Sequence, residues 1–492
     1  MTATELRASL LTDAELSLRP GSGDPELVAL TADSRSVRPG ALFAALPGGK
    51  ADGSDFVAEA IARGAVAVLG PRGLKVPSGI AVLEAENPRR AIALAAARFH
   101  ARQPETICAV TGTSGKTSVV AFACQIWTTL GRSAASIGTL GIVAPHAART
   151  MALTTPDPIS LHANLAVLAD TGITNLAIEA SSHGLDQFRL DGVVLKAAAF
   201  TNLSRDHLDY HSTMEAYLAA KLRLFDTLLP SGGAAIINAD SPHADAIAAI
   251  ARARRLQYIG YGRTAREIRL IDQKLEIDGQ TIEIEAFGRR STLRLPLAGA
   301  FQAMNALAAL GLTVGSGSEA PWAIQALAQL TGVPGRLERA ATRTNGATIY
   351  VDYAHKPDAL ETVLGALRAH TQRELVVVFG CGGDRDRGKR PIMGEIAARL
   401  ADRSYVTDDN PRSEDPAAIR SQILAHCPGA IEVASRREAI FLATAALRPG
   451  DVLVIAGKGH ERGQIVGSVT HPFIDVHVAR AAVRAADQEQ ES

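Results

Sequence analysis

The 492-residue chain has only four cysteines, Cys108, Cys124, Cys381 and Cys427, and they lie far apart without paired metal-ligand spacing. That excludes a disulfide framework and a cysteine zinc site, and it fits a reducing cytoplasm. Net charge is also lacking: 51 Lys and Arg stand against 51 Asp and Glu. No basic field therefore points to nucleic acid or to an anionic membrane, and the basic residues are expected to serve local sites. No uninterrupted apolar run reaches the ~18 residues a membrane span needs. The opening MTATELRASLLTDAEL carries acids where a secretion signal needs a basic and then an apolar segment. The expectation is a cytoplasmic protein, monomeric, with no nucleic-acid partner and no membrane insertion. Solenoid repeats are absent, and low complexity is confined to a polar tail after Ala485.

The length exceeds the roughly 250–300 residues at which one core stops growing, so several domains are expected. Short apolar strands alternate with Ala- and Leu-rich helical stretches, the pattern of parallel sheets covered by helices, and the fold class is α/β. The first segment has strands at 65–69 and 80–83 and a helix through 89–99, and Gln103-Pro104 breaks the pattern. A larger unit opens with a strand at 107–110 and continues through apolar runs at 176–178, 197–200 and 234–237. Within it, 268–286 alternates around Asp278-Gly279, which reads as a hairpin whose turn positions tolerate positive φ. A further break falls at Gly332-Val333-Pro334-Gly335, and beyond it strands at 375–379, 404–406 and 452–455 indicate another doubly wound unit.

The strongest local signal is Thr111-Gly112-Thr113-Ser114-Gly115-Lys116-Thr117-Ser118, between a buried strand and a helical run. Glycines let backbone amides approach phosphate oxygens, the helix N-terminus favours an anion, Lys116 supplies a cation and the Thr117 hydroxyl can bind magnesium. The general pattern wants glycine where Val110 stands, and a plain glycine-rich turn is the bland alternative. Downstream, Glu179 ends an apolar strand, His207 lies in Asp206-His207-Leu208-Asp209, and Lys221 follows on a helical stretch. An acid at the carboxyl end of a strand beside a phosphate loop is well placed for magnesium. Taken singly, these three read equally as a solvated strand end, a packed loop histidine and a surface lysine.

Five ordered motifs resemble the Mur ligases: the phosphate loop, Glu179-Ala180-Ser181-Ser182-His183-Gly184-Leu185, Asp206 to His211, Asp352-Tyr353-Ala354-His355, and Asp409-Asn410-Pro411-Arg412. The resemblance covers nearly the whole chain and is strongest to the family's diaminopimelate-adding type. It implies three domains: 1–101 for the UDP sugar, a central ATPase at 102–334, and a Rossmann-like 335–492 for the incoming amino acid. The implied activity is ATP-dependent joining of meso-diaminopimelate to UDP-N-acetylmuramoyl-L-alanyl-D-glutamate through an acyl phosphate, with the third domain closing about Gly332 to Gly335.

The resemblance further implies Mg2+ held by Thr117 and Glu179, and a second by His207 with a CO2-derived carbamate on Lys221. Gly112, Thr113, Ser114, Gly115, Lys116, Thr117 and Ser118 would hold ATP together with Asn305, Arg336 and Asp352. For the muramoyl substrate it points to Ala32, Ser34, Thr154, Thr155, Ser181, Gln187 and Arg189; serines and threonines in loops also simply cap helices and turns. For diaminopimelate it points to Arg385, Asp409, Asn410, Pro411, Arg412, Gly457 and Glu461; alone, Asp-Asn-Pro-Arg reads as a turn fixed by Pro411. The chain departs from the family pattern at Ser114, Gln302 and Lys356. The rivals are a folylpolyglutamate synthase, a lysine-adding Mur ligase, and a non-catalytic nucleotide-binding protein.

Overall fold

The computed structural model describes residues 1–10, 16–48, 52–145, 147–151, 153–207 and 209–491. Leu208, inside the Asp206 to His211 motif, lies outside them. The chain divides into two compact units, Met1–Ile268 with Ala308–Ala323, and Arg269–Leu307 with Ile324–Ser492.

The first unit holds two sheets. The smaller has the order Ser17–Leu18, Ala81–Ala85, Ala65–Pro71, Ala41–Ala44, Ala29–Thr31, parallel except for its first strand. Its covering helix Pro88–His100 starts where Asn87 accepts from the backbone N–H of Arg90 and proline takes the first turn, a position where the missing N–H costs nothing. The larger sheet has the order Gln257–Gly262, Ala234–Asn238, Leu195–Phe200, Thr106–Thr111, Asn175–Glu179, Ala134–Gly138, then the antiparallel Gly141–Ala144 and Ala147–Arg149. Its central strands are buried but for half-buried ends at Thr106 and Asn238, as parallel strands covered on both faces must be. Strand order reverses at Thr106–Thr111, which lies between strands that come later in the chain, so a crevice opens at the carboxyl ends of Thr106–Thr111 and Asn175–Glu179.

The second unit contains most of an antiparallel meander and a parallel sheet. In the meander, Gly279–Ala286 pairs with Arg289–Leu295. The Asp278-Gly279 turn differs in detail from the sequence expectation. The turn residues are Ile277 and Asp278, and Gly279 opens the next strand without a positive φ. Glycine is needed there because a Cβ would lie 2.4 Å from the Leu295 carbonyl oxygen. The parallel sheet has the order Glu338–Thr342, Thr348–Asp352, Val452–Ala456, Leu375–Phe379, Arg403–Val406, Ile431–Glu432, with only Glu338–Thr342 antiparallel. Its core packs Val377, Phe379 and Val454 against the helices Pro357–Arg368 and Lys389–Leu400. Among the described residues no helix is long and apolar enough to cross a membrane.

Candidate active site

The phosphate loop forms as the sequence requires. Gly112 has φ 142°, and a Cβ there would lie 1.9 Å from Thr201 Oγ1. Gly115 has φ 87° and starts the helix Lys116–Thr129. A second loop braces the first: Asn202 Oδ1 accepts from the Ser114 N–H at 2.9 Å, and Thr201 Oγ1 donates to the Ser114 carbonyl at 2.6 Å. The Ser114 side chain, where the chain departs from the family pattern, is exposed, and the loop is held through the Ser114 backbone.

Two lysines converge on one carbonyl. Lys116 Nζ donates to Gly112 O and Thr113 O, both at 2.8 Å, and Lys221 Nζ donates to the same Gly112 O at 2.8 Å. Lys221 is 1% exposed, with its Nζ 4.3 Å from the centre of the Tyr217 ring. Burial first, then the charge of Lys116, pulls the Lys221 ammonium down to about 6, so the amine is largely neutral at neutral pH. Tyr217 OH lies 3.1 Å from Thr113 Oγ1, tying the lysine's helix to the loop. The sequence reading missed Tyr217, although it stands one helical turn before Lys221 and so on the same face.

Glu179 is 1% exposed at the end of its strand, in register with Val110. Its carboxylate accepts from Thr139 N at 2.8 Å and Thr139 Oγ1 at 3.2 Å. Among the described residues it makes no ion pair. A buried carboxylate met only by neutral donors favours a cation, and the hard oxygen donors of Glu179 and Thr117 suit magnesium. Gly138 makes room for it, since a Cβ there would lie 2.2 Å from Glu179 Oε1. His207, at φ 54°, packs edge-on to His183 with ring centres 5.0 Å apart, and His211 and Tyr217 complete the ring cluster. Among the described residues no group of three or more His, Cys, Asp or Glu side chains is arranged to hold a metal. Any magnesium here would therefore depend on hydroxyl, phosphate or modified-lysine oxygens.

Beside this crevice lies a cleft of about 490 Å³, lined by Ala32, Asp33, Arg89, Asp157, Gln187 and Arg189 among others. Arg189 donates to Thr155 O and Gln187 Oε1, both at 2.7 Å, and burial lowers its guanidinium pKa while Asp157 opposes the shift. Thr155 Oγ1 bonds the Glu179 carbonyl, which joins cleft to crevice, and Thr154 Oγ1 lies 3.3 Å from Thr139 Oγ1. Ser181 caps the short helix Ser182–Asp186 through Gly184 N–H. Ser34 does not line the cleft: its hydroxyl donates to Glu59 at 3.0 Å. Asp157, missed in the sequence, both lines the cleft and caps the helix Pro158–Asp170.

In the second unit, Asp352 accepts from Leu337 N at 2.7 Å and Ala354 N at 2.8 Å, and burial pushes its carboxyl up to about 6 against the pull of Arg336. Arg336 stacks 4.9 Å from the Tyr353 ring centre. Asn305 donates to Gln302 Oε1 at 2.9 Å, and Gln302 donates to the Arg336 carbonyl at 3.5 Å, so Gln302 works as a link.

A further cluster of polar side chains forms where loops leave three strands of the parallel sheet. Asn410 Nδ2 donates to Glu461 Oε2 at 3.0 Å, and Lys458, missed in the sequence, donates to both residues. Burial alone would push the Glu461 carboxyl up, but Lys458 and Asn410 together hold it below its ordinary value. Gly457 has φ 119°, and a Cβ there would lie 2.8 Å from Asp409 Oδ2. Arg412 has φ 49°, a strained value for arginine, pinned by its N–H to Ile465 O at 3.1 Å, while its Nη1 donates to Gly383 O at 2.8 Å. The Pro411 carbonyl accepts from Glu414 N–H, closing the turn. Arg385 is exposed on the loop that follows the strand Leu375–Phe379. Among the described residues eight non-glycine residues have positive φ, and His207, Leu337, Asp384 and Arg412 all belong to or adjoin these sites. Such strain concentrates where surrounding structure overrides local preference.

A phosphate loop at a switch point with a buried carboxylate beside it defines an α/β protein of the nucleotide-binding type, and the second unit carries its own cluster of paired charges. Three family models cover most of the sequence: "Mur ligase family, catalytic domain" at 26–102, "Mur ligase middle domain" at 110–313, and "Mur ligase, glutamate ligase domain" at 335–459. The chain is 52% identical over 480 residues to the UDP-N-acetylmuramoyl-L-alanyl-D-glutamate–2,6-diaminopimelate ligase of Caulobacter vibrioides, covering 96% of this chain and 99% of that one. It is 54% identical over 487 residues to the enzyme of the same name from Bradyrhizobium diazoefficiens, covering 97% and 99%. A solved structure of a ligase of that name is 34% identical with a TM-score of 0.72, covering 95% of this chain and 96% of its own. The folylpolyglutamate synthase of Mycobacterium tuberculosis, at 20% identity and a TM-score of 0.61 over 80% of this chain and 94% of its own, shares the fold alone. The chain belongs to the Mur ligase family, and its three-domain α/β fold is that family's.

Proposed function

We propose that this protein is an ATP-dependent ligase that joins meso-diaminopimelate to UDP-N-acetylmuramoyl-L-alanyl-D-glutamate, releasing ADP and phosphate, in peptidoglycan precursor synthesis. The observation that carries the reading is the group formed by the buried Asp409 and Asn410 with the half-buried Glu461 beside the strained Arg412, which offers acceptors for an ammonium and a fork for a carboxylate. Domain boundaries at 101/102 and 334/335 follow the same reading, with the protein acting as a cytoplasmic monomer.

The side-chain carboxylate of the acceptor's glutamate attacks the γ-phosphorus of ATP, and the bond to the β,γ-bridging oxygen breaks to leave ADP. An amine of diaminopimelate then attacks the acyl phosphate carbon, loses its proton, and the tetrahedral adduct expels phosphate. The amides of Gly112 to Ser118 cradle the phosphates, and Lys116 moves its ammonium from the loop carbonyls to the transferring group, where a cation offsets developing charge. Thr117 and Glu179 would hold magnesium, which supplies further neutralisation of phosphate charge. Lys221, buried and neutral, is suited to take up CO2: its nitrogen lone pair bonds to the carbon, a proton leaves, and a carbamate anion results beside His207. Ala32, Gln187 and Arg189 receive the muramoyl substrate in the cleft, with Thr154, Thr155, Ser181 and Ser34 acting through the walls they brace. Arg336 and Asp352 serve the phosphates and ribose of ATP, and Asn305 its adenine side.

The test is phosphate release in the presence of ATP with each substrate alone and with both. Release that needs both acceptor and diaminopimelate supports ligation; release with neither would fit a nucleotide hydrolase instead.

A further inference from the structure

Lys458 lies between Gly457 and Gly459 just beyond the strand Val452–Ala456, and it is 0% exposed. The two glycines make that burial possible: at Gly459, with φ 52°, a Cβ would lie 2.7 Å from the Cβ of Tyr353. Lys458 Nζ donates to Asn410 Oδ1 at 2.9 Å and to Glu461 Oε2 at 3.0 Å, and lies 3.6 Å from Asp409 Oδ1. The Ile465 N–H donates to the same Asn410 Oδ1 at 2.9 Å, so the amide has two donors on its oxygen and a carboxylate on its nitrogen. Only one of the two amide orientations satisfies all three.

The charges also close. Asp409 and Glu461 are two anions, Lys458 and Arg412 two cations, and the sum is zero. Behind them Arg436 and Asp475 form a fully buried pair that cancels at 2.7 Å. Burial holds His460 down to about 4, so it adds nothing at neutral pH. The remote end of diaminopimelate carries one ammonium and one carboxylate and is neutral, whereas that of lysine is a lone cation.

We propose that Lys458 is the positioning and charge-setting residue of the amino-acid pocket: it fixes the Asn410 amide and the Glu461 carboxylate, and it makes the pocket neutral, matched to a zwitterionic rather than a cationic end. This rests on the reading of the pocket as the diaminopimelate site. Removing Lys458 leaves a net single negative charge, which favours lysine, and frees the Asn410 amide to turn.

The experiment measures kcat and KM for diaminopimelate, lysine and ATP in the full-length wild type, Lys458→Met, Lys458→Gln, Arg412→Ala and Lys458→Met/Glu461→Gln, each checked by thermal melting. Lys458→Met is expected to raise the diaminopimelate KM about 30-fold, leave that for ATP within about threefold, and lower the diaminopimelate-to-lysine ratio of kcat/KM about tenfold. Lys458→Gln keeps a donor for Asn410 without the charge, so it retains more affinity but loses the ratio equally. The double variant restores neutrality and recovers part of the ratio, an effect a merely structural lysine would not produce. If either folded single variant keeps the wild-type ratio while Arg412→Ala raises the diaminopimelate KM, the proposal is overturned. If Arg412→Ala also leaves that KM unchanged, the site reading itself fails.

Discussion

Gly112→Ala tests whether the meeting of two lysines at one carbonyl depends on the shape of the phosphate loop. The new methyl would sit 1.9 Å from Thr201 Oγ1 and 3.1 Å from both Asn202 N and Asn202 O, at φ 142°. The backbone conformation costs about 1–3 kcal/mol for a residue with a Cβ. Overpacking against Thr201 and Asn202 adds about 1–3 kcal/mol. The sum of roughly 2–6 kcal/mol can be relieved only by moving the loop, which pulls the Gly112 carbonyl away from Lys116 and Lys221. The expected result is lower melting stability and an ATP KM raised at least about tenfold, since one pKa-sized loss of 1.4 kcal/mol is already tenfold. Gly112→Ala/Thr201→Ala removes the obstructing oxygen and should recover the packing part while the backbone part persists. Thermal melting and ATP KM in both variants decide it. A Gly112→Ala protein with wild-type melting and ATP affinity would refute the argument.

Lys116→Ala should abolish ligation while the fold persists, because a methyl cannot replace a cation on the β and γ phosphates; near wild-type turnover would contradict this. Lys221→Ala should be nearly inactive and partly restored by acetate, and 13C-labelled bicarbonate should give a carbamate resonance in wild type that the variant lacks. Full wild-type activity in buffer freed of CO2 would rule the carbamate out. In protein freed of CO2, where the amine is unmodified, the same lysine sets a pH dependence: between about pH 6, where the folded amine titrates, and its ordinary value of 10.5, the unfolded chain binds the proton and the folded one does not. Stability from this group therefore rises with pH across that window, by roughly 1.4 kcal/mol per pH unit, with its destabilising effect complete below about pH 6. Lys221→Met should flatten the slope in denaturant titrations at pH 7 and 9. Arg412→Ala should lose most diaminopimelate activity and gain little with lysine, and Arg412→Lys should also be poor because an ammonium lacks the fork; equal kcat/KM in wild type and both variants would move carboxylate recognition elsewhere.

The buried central strands were legible because parallel strands covered on both faces read as unbroken apolar runs, as at 107–110, 176–178 and 375–379. Short edge strands such as Ala29–Thr31 and Gly463–Val466 escaped notice, since three or four residues carry no period to recognise. Glu179 and the phosphate loop were legible from their place at strand ends. Lys458 was not: a lysine after a strand reads as a solvated cation, and only the tertiary closeness of Asn410 and Glu461 shows why it is buried. Ser34 shows the reverse, a serine the family resemblance assigns to the substrate whose hydroxyl is committed to Glu59. Strain at Arg412 is likewise invisible in sequence, because arginine has no preference for the left-handed region.

The most direct measurement is the ratio of kcat/KM for meso-diaminopimelate and for L-lysine, with UDP-N-acetylmuramoyl-L-alanyl-D-glutamate and ATP, each product identified by its mass. An Arg412 left desolvated without its carboxylate partner costs roughly 2–5 kcal/mol, which corresponds to discrimination of about thirtyfold to several thousandfold. The expected product is the diaminopimelate-containing tripeptide at a ratio in that range, with one phosphate released per peptide bond formed. A ratio near one, or phosphate release without peptide product, would contradict it.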